Sequence, residues 1–477
     1  MSNLQINPNN NAVKQIHKEY SALEPVPEEA RNLKFGEMVA TWIGANANNG
    51  TWYVGGVVAA ATFGGAALVT LVANPIAYII MAFIGFIGYK IGTSTMSLTR
   101  PAFGVKGSGI PSFLVITQFI GWTAVNTFIA AISISFILNA LFSMPAFGST
   151  GSNVTMLIGI LIMSLLHILS ITAGHNSVKV VEKYGVFFIM ILGIWETVVI
   201  LQQVPLSQII SWRPPSGKVM PIGLAMDAMA AFSLGWVPAI CEFTRYGKTK
   251  NTSTVAPIIG ANLGLFWFAF VGIVGTIGTA ITTGIYDPNN SDPSTIVSKL
   301  GLGIIAFLVI IITSTTANAV NLMAAGISLT NITNKIKSIK ALLLVTILSA
   351  LLTLVPLYVG SFLNSFIAFL DYVGVVFGPI LAIMIVDYYL IHKKTYEVKD
   401  FNSSTGSYWF TKGYNYVAFG VWIASAIIFL LIRNLSIFAN TVGAIYPIIL
   451  LAGILYYIAA KIVYKTPVES ETNSQIY

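Results

Sequence analysis

Charge is what this sequence has least of. Only 9% of its 477 residues are Asp, Glu, Lys or Arg, against about 25% in soluble globular domains. A chain so poor in charge cannot cover a water-facing surface, which excludes a soluble enzyme or binding module. It has one cysteine, Cys241, so no intramolecular disulfide and no redox or metal framework follows. There is no HExxH pair and no glycine-rich phosphate loop, and His167 is the single histidine inside an apolar run. These absences argue against an integral membrane enzyme and imply no cofactor. The first 34 residues are polar and of mixed charge, without the apolar core of a cleaved signal peptide.

What is present is apolar: 56% of the residues are hydrophobic. Twelve runs can each cross the ~30 Å of a bilayer core as a helix: 35–60, 63–91, 111–141, 154–173, 184–203, 220–243, 254–281, 302–331, 341–359, 363–391, 415–433 and 442–461. The chain therefore reads as an all-α, multi-pass integral membrane protein with the lipid bilayer as its surroundings. With the N-terminus inside, the loops sort by charge. All 25 lysines and arginines except Arg213, Lys218, Lys299 and Arg433 fall on the cytoplasmic side, as the positive-inside rule requires. Both termini, 1–34 and 462–477, are then cytoplasmic tails in a plasma-membrane protein. The net charge of +8 belongs to these loops and implies no nucleic-acid partner.

The longest join, "HKKTYEVKDFNSSTGSYWFTKGY", separates ten spans from two. Ten plus two is the division expected of an inverted repeat, 35–203 and 220–391, followed by accessory helices in 415–461. Polar interruptions support this. Gly44, Asn46, Asn48, Asn49 and Gly50 fall near the middle of the first span, and Gly235 and Pro238 near the middle of the sixth. Backbone can leave a helix at membrane depth only where it is buried in protein or lines a wet cavity, and paired interruptions in matching halves point to a transporter's binding site. Small and polar residues also serve helix packing; the pairing favours a site.

Two further stretches converge on this reading. In the third span Gln118, Trp122 and Asn126 recur every four residues and share a face, giving a ring to stack on and amides to bond an edge. The eighth span holds Ser314, Thr315, Thr316, Asn318 and Asn321; its hydroxyls suit a hard cation, or bond back to their own helix. Glu196, Asp227 and Asp371 lie within spans, where they are costly and invite a proton-carrying role. Glu37, Glu242 and Asp387 lie at span ends, where pairing with cations such as Arg245 or Lys393 is expected.

The segments "WIGANANNGTW" (Trp42–Trp52), "RPAFGVKGSGIP" (Arg100–Pro111), "EFTRYGK" (Glu242–Lys248) and "FGPILAIMIVDYYLI" (Phe377–Ile391) resemble, in this order, the nucleobase:cation symporter family of cytosine, uracil, purine, allantoin and hydantoin permeases. The resemblance implies a LeuT-like five-plus-five inverted repeat with helices 1 and 6 broken. It implies symport of a flat heterocycle with sodium or a proton, and a monomer. Carried over, Trp122 stacks on the substrate and Asn126 bonds its edge. Asn49 and Asn321 contact it, and a side chain at the sixth-helix break, within Phe232 to Trp236, completes the site. A sodium ion falls to the carbonyls of Ala45, Asn48 and Ile312 and the hydroxyls of Thr315 and Thr316, with Ser314 the alternative. A carrier of amino acids or other small solutes on the same architecture, or a channel, is the rival reading.

Overall fold

Residues 35 to 58 fold as two helices, and the asparagines explain why. In the computed structural model, which describes residues 22–172, 175–332 and 338–464, helix α1 (Phe35–Asn46) stops at Ala47, and α2 (Asn49–Val58) starts after Asn48. Asn48 is extended (φ −144°, ψ 170°), and its Oδ1 accepts from the Thr51 amide at 3.0 Å as the N-cap of α2. Its Nδ2 donates to the Ala45 carbonyl at 2.6 Å. One side chain thus closes backbone groups on both sides of the break, as caps must where water is absent. Asn46 and Asn49 brace the joint sideways. Asn46 Oδ1 accepts from the Tyr78 hydroxyl at 2.6 Å. Asn49 Nδ2 lies 3.0 Å from the Ile310 carbonyl, 3.0 Å from Thr313 Oγ1 and 2.9 Å from Ser314 Oγ, all on the eighth span.

The chain continues through α3 (Thr62–Ile91), α4 (Gly109–Phe142), α5 (Ser152–Thr172), α6 (His175–Gln203) and α7 (Ile222–Leu234). It then forms α8 (Lys250–Thr283), α9 (Pro293–Lys299), α10 (Gly303–Ile332), α11 (Ser338–Thr353), α12 (Phe362–Val386), α13 (Tyr416–Ile432) and α14 (Ile445–Val463), with no strand among the described residues. The apolar helices fall where the twelve runs lie. Among the described residues, ten stretches are long and apolar enough to cross a membrane; the first, Asn49–Ile91, takes in both α2 and α3, and α13 is shorter than the rest. Most of the tails and Lys14, Lys18, Lys335, Lys337 and Lys465 lie outside the described residues.

The second break follows α7. Helix gives way at Gly235 to a 3-10 turn, Val237–Ala239, and a four-residue helix, Cys241–Thr244. Pro238 has no N–H to continue the ladder, and the freed Gly235 carbonyl accepts from Gln118 Nε2 of α4 at 2.6 Å.

Helix α8 runs along both halves of the first broken helix because glycine lets it. A Cβ on Gly264 would sit 2.5 Å from the Ile43 carbonyl of α1, and one on Gly272 would sit 1.9 Å from the Trp52 carbonyl of α2. Small residues at a membrane interface permit this backbone approach.

The acidic residues act mostly as structural ties. Asp227 accepts from the Ala444 and Ile445 amides at 2.9 Å, capping α14, and Asp371 pairs with Arg433 at 2.5 Å. Glu37 accepts from the Lys34 amide at 2.8 Å, and Glu242 from the amide and hydroxyl of Thr95 at 3.2 and 2.9 Å. Asp387 does not take Lys393 as its partner, contrary to the sequence-based expectation. It accepts from Tyr396 and Tyr456 at 2.6 and 2.7 Å and pairs with His392 Nδ1 at 3.1 Å. The chain leaves α12 through a π-helical turn, Asp387–Ile391, and Lys393 then adopts a left-handed φ of 51°.

Two measurements test this packing. Gly272→Ala forces a side chain into backbone and is expected to cost ~1–3 kcal/mol, read as a lower melting temperature in detergent; Gly64→Ala, with nothing within 4 Å, is the matched control. Equal melting of the two proteins contradicts the close approach. Asn49→Ala removes the donor between α2 and α10 and is expected to cost about 1–3 kcal/mol, with faster amide exchange in α2. Wild-type exchange and melting in that protein would show that Asn49 does not hold the joint.

Candidate substrate site

The two breaks meet, and α4 and α10 wall the space between them. A cavity of ≈ 20 Å³ is lined by Asn48 and Gly50 from the first break, Phe119, Trp122 and Asn126 from α4, Phe232 and Trp236 around the second break, and Ala317 and Asn321 from α10. A second cavity of ≈ 40 Å³ adjoins it, sharing Asn48, Trp236 and Ala317, and extends along Thr41, Trp42, Ala45, Phe243, Thr313 and Thr316. Neither lining contains a charged side chain. The chemistry on offer is ring faces, amides, hydroxyls and freed backbone.

Trp122 is 9% exposed and held by ring edges. Phe232 meets it at 5.1 Å and 78°, and Phe369 at 4.8 Å and 82°. Gly235 allows the approach: a Cβ there would sit 3.1 Å from the indole nitrogen. Beyond Trp122, on the α2 side, Tyr53 stacks on Phe362 at 4.9 Å and leans on Phe366 at 4.6 Å, while Phe128 stacks on Phe362 at 4.4 Å. These rings form an aromatic cluster that reaches Trp122 through Phe366, at 6.3 Å. On the α1 side, Trp42 meets Trp236 at 6.1 Å and Phe243 at 5.6 Å, both edge-on.

Of the residues singled out in the sequence, Trp122, Asn126, Phe232, Trp236 and Asn321 line the smaller cavity, and Gly235 packs on the indole. Gln118 stands behind it, engaged with the Gly235 carbonyl. Asn318 also stands behind, bonded to Thr123, Thr127 and His167. Asn49 is absent from the lining and turned to α10. Ala45, Asn48 and Thr316 line the larger cavity together; Ile312 is 38% exposed, and neither it nor Thr315 is in that lining. Thr315 bonds back to the Ile311 carbonyl at 2.8 Å. Ser314 is also outside the lining, held by Asn49.

Sequence reasoning passed over Thr313, which shares a helix face with Thr316 three residues on, and over the aromatic cluster beside Trp122. The spacing of Phe362, Phe366 and Phe369 along α12 was the available signal for that cluster. The intramembrane acids Glu196, Asp227 and Asp371 line neither cavity. Glu196 is fully buried against Gly275, and its carboxyl oxygens have no hydrogen-bond partner among the described residues.

Comparison with known proteins gives this geometry its context. The family described as "Permease for cytosine/purines, uracil, thiamine, allantoin" matches residues 25–468. The allantoin permease of Bacillus subtilis (strain 168) is 26% identical over 456 residues, 91% of this chain and 90% of that protein. The cytosine permease of Escherichia coli (strain K12) is 25% identical over 378 residues, 78% of this chain and 81% of that protein. Among solved structures, the inward-facing conformation of Mhp1 superposes with a TM-score of 0.77 at 18% identity, covering 95% of this chain and 97% of that one, which is a likeness of fold. With a family match over almost the whole chain, this protein belongs to the nucleobase:cation symporter family of permeases and is a transporter, not an enzyme.

Proposed function

We propose that this chain imports a flat heterocycle of the nucleobase, allantoin or hydantoin type together with a cation, by alternating access, as a monomer in the plasma membrane with both termini cytoplasmic. The observation that carries this reading is the junction of two broken helices beside an indole with amides on its flanks. Trp122 offers a face for stacking, Asn126 and Asn321 bond the edge of the ring, and Phe232 and Trp236 form the walls. Relatives named as allantoin, cytosine and hydantoin permeases support this choice of substrate. An amino acid would bring a carboxylate and an ammonium, and no charged side chain in the lining answers either. A cavity of ≈ 20 Å³ has room for about one or two water molecules, so admission of a ring requires Phe232 or Trp236 to swing aside.

The cation belongs with the larger cavity. Ala45, Asn48, Thr313 and Thr316 line it together, and their carbonyls and hydroxyls would supply oxygens of the kind that bind sodium at a broken helix. Asn48 Nδ2 already occupies the Ala45 carbonyl, so an ion there displaces an internal bond. It ties the first break to α10, and it shifts the conformational balance only by its differential affinity for the two states. Rocking then occurs in a five-plus-five repeat, 35–203 and 220–391, with 415–461 as accessory helices.

Two experiments test the reading. Purified protein in proteoliposomes is expected to take up labelled uracil, cytosine, allantoin or hydantoin saturably, faster under an inward sodium or proton gradient than without one. Absence of gradient-stimulated uptake for all four would refute the symport reading. Trp122→Ala is expected to weaken binding of the transported compound by ~1–3 kcal/mol; unchanged affinity would take Trp122 out of the site.

A further inference from the structure

His167 is the one histidine within a described membrane span, it is 2% exposed, and transport as described so far does not use it. Its Nε2 lies 3.0 Å from Nδ2 of Asn318, a residue with no exposed surface. The same Nδ2 faces the Thr123 carbonyl and Thr127 Oγ1, each at 3.2 Å. A carbonyl can only accept. The Thr127 hydroxyl hydrogen is already directed to the Thr123 carbonyl at 2.6 Å, so Oγ1 is an acceptor too. Two acceptors therefore face one end of the Asn318 amide, which makes that end the nitrogen. Nε2 of His167, facing the same donor, must then carry the lone pair, with the imidazole proton on Nδ1.

Orientation then passes down the helix. With its nitrogen turned to Thr123, Thr127 and His167, Asn318 presents Oδ1 to Asn321, which donates from Nδ2 at 3.4 Å. One amide hydrogen of Asn321 is thereby committed and its orientation fixed, which leaves Oδ1 and the second amide hydrogen for the cavity that Asn321 lines. Across that cavity stands Asn126, 5% exposed, whose Oδ1 has no hydrogen-bond partner among the described residues. Asn126 of α4 and Asn321 of α10 thus border one small space, and the oxygen whose orientation is set by a neighbour is that of Asn321.

We propose that His167 is a positioning residue which, through Asn318, fixes Asn321 as a hydrogen-bond acceptor, so that the site selects the edge of a ring bearing N–H groups. This rests on the substrate site proposed above and specifies its polarity. The ligand class is a lactam, ureide or aminopyrimidine with a free N–H on the edge facing Asn321 of α10. A ring alkylated at that nitrogen leaves a buried acceptor unpaired, and sites built around hydrogen bonds reject such analogues strongly.

The test uses the full-length protein in detergent and the dissociation constants of uracil, cytosine, hydantoin and allantoin, each beside its singly N-methylated derivatives. For any parent compound that binds, at least one methylation is expected to weaken binding roughly tenfold or more. His167→Gln can still offer an oxygen to Asn318 and is expected to keep that ratio. His167→Leu cannot, and its ratio is expected to fall at least about threefold. Thr127→Val, which removes an acceptor from the same amide, is expected to move the ratio in the same direction and stands in should His167→Leu not fold. Binding that tolerates methylation at every ring nitrogen overturns the proposed polarity, and an unchanged ratio in both His167→Leu and Thr127→Val removes His167 from it. Failure of all four parents to bind overturns the substrate reading itself, and this inference with it.

Discussion

Peptide groups released at membrane depth have no water to turn to, and the arrangement of this protein follows from how two sets of them are satisfied. At the first break the chain serves itself: Asn48 accepts from Thr51 and donates to Ala45. At the second it borrows from another helix: Gln118 donates to Gly235. Each solution places polar side chains where two helices end, and the small cavity between them is the candidate site. The asparagines that look out of place in an apolar span are thus a structural requirement first. Their presence at a binding cavity is a consequence.

The two solutions differ mechanically. A break satisfied within its own helix can move as a unit, while one satisfied from α4 is tied to whatever α4 does. Asn49 adds a third tie, from α2 to α10. Movement between the group containing both broken helices and the group containing α4 and α10 must therefore exchange the Gln118 and Asn49 bonds for others or carry them along. Alternating access, as proposed, makes these two side chains the joints to watch. The glycine contacts of α8 with both halves of the first broken helix keep that helix and α8 moving together.

Much of this was legible in the sequence, for a physical reason. Periodicity places residues on a helix face, so the shared face of Gln118, Trp122 and Asn126 could be read from spacing alone, and breaks announce themselves through Asn, Gly and Pro. What spacing does not carry is the identity of a partner far along the chain. Asn49 reads as a substrate contact, and spacing does not reveal that its amide nitrogen is held by α10, some 260 residues away. Of the residues read as a cation set, Ala45, Asn48 and Thr316 line the larger cavity with Thr313, a neighbour on the same helix face that spacing did not single out. Asp387 met His392 and two tyrosines in place of Lys393 because a π-helical turn redirected the chain.

A neutral site has a consequence for coupling. With no acidic side chain in either cavity, a bound cation finds no full counter-charge nearby. What it finds in the proposed mechanism is the C-terminal end of α1, whose last carbonyls carry the negative pole of the helix dipole, with hydroxyl oxygens of α10 opposite. Such partial charges exist only while the helix stays broken and its end stays close to α10. Moving α1 away from Thr313 and Thr316 therefore dismantles the ion's site without any proton transfer or ion pair having to break. Release of the ion and opening of the larger cavity, which α1 and Trp236 line together, become one event. In the proposed mechanism, a ring stacked on Trp122 would then leave through the space α1 has vacated.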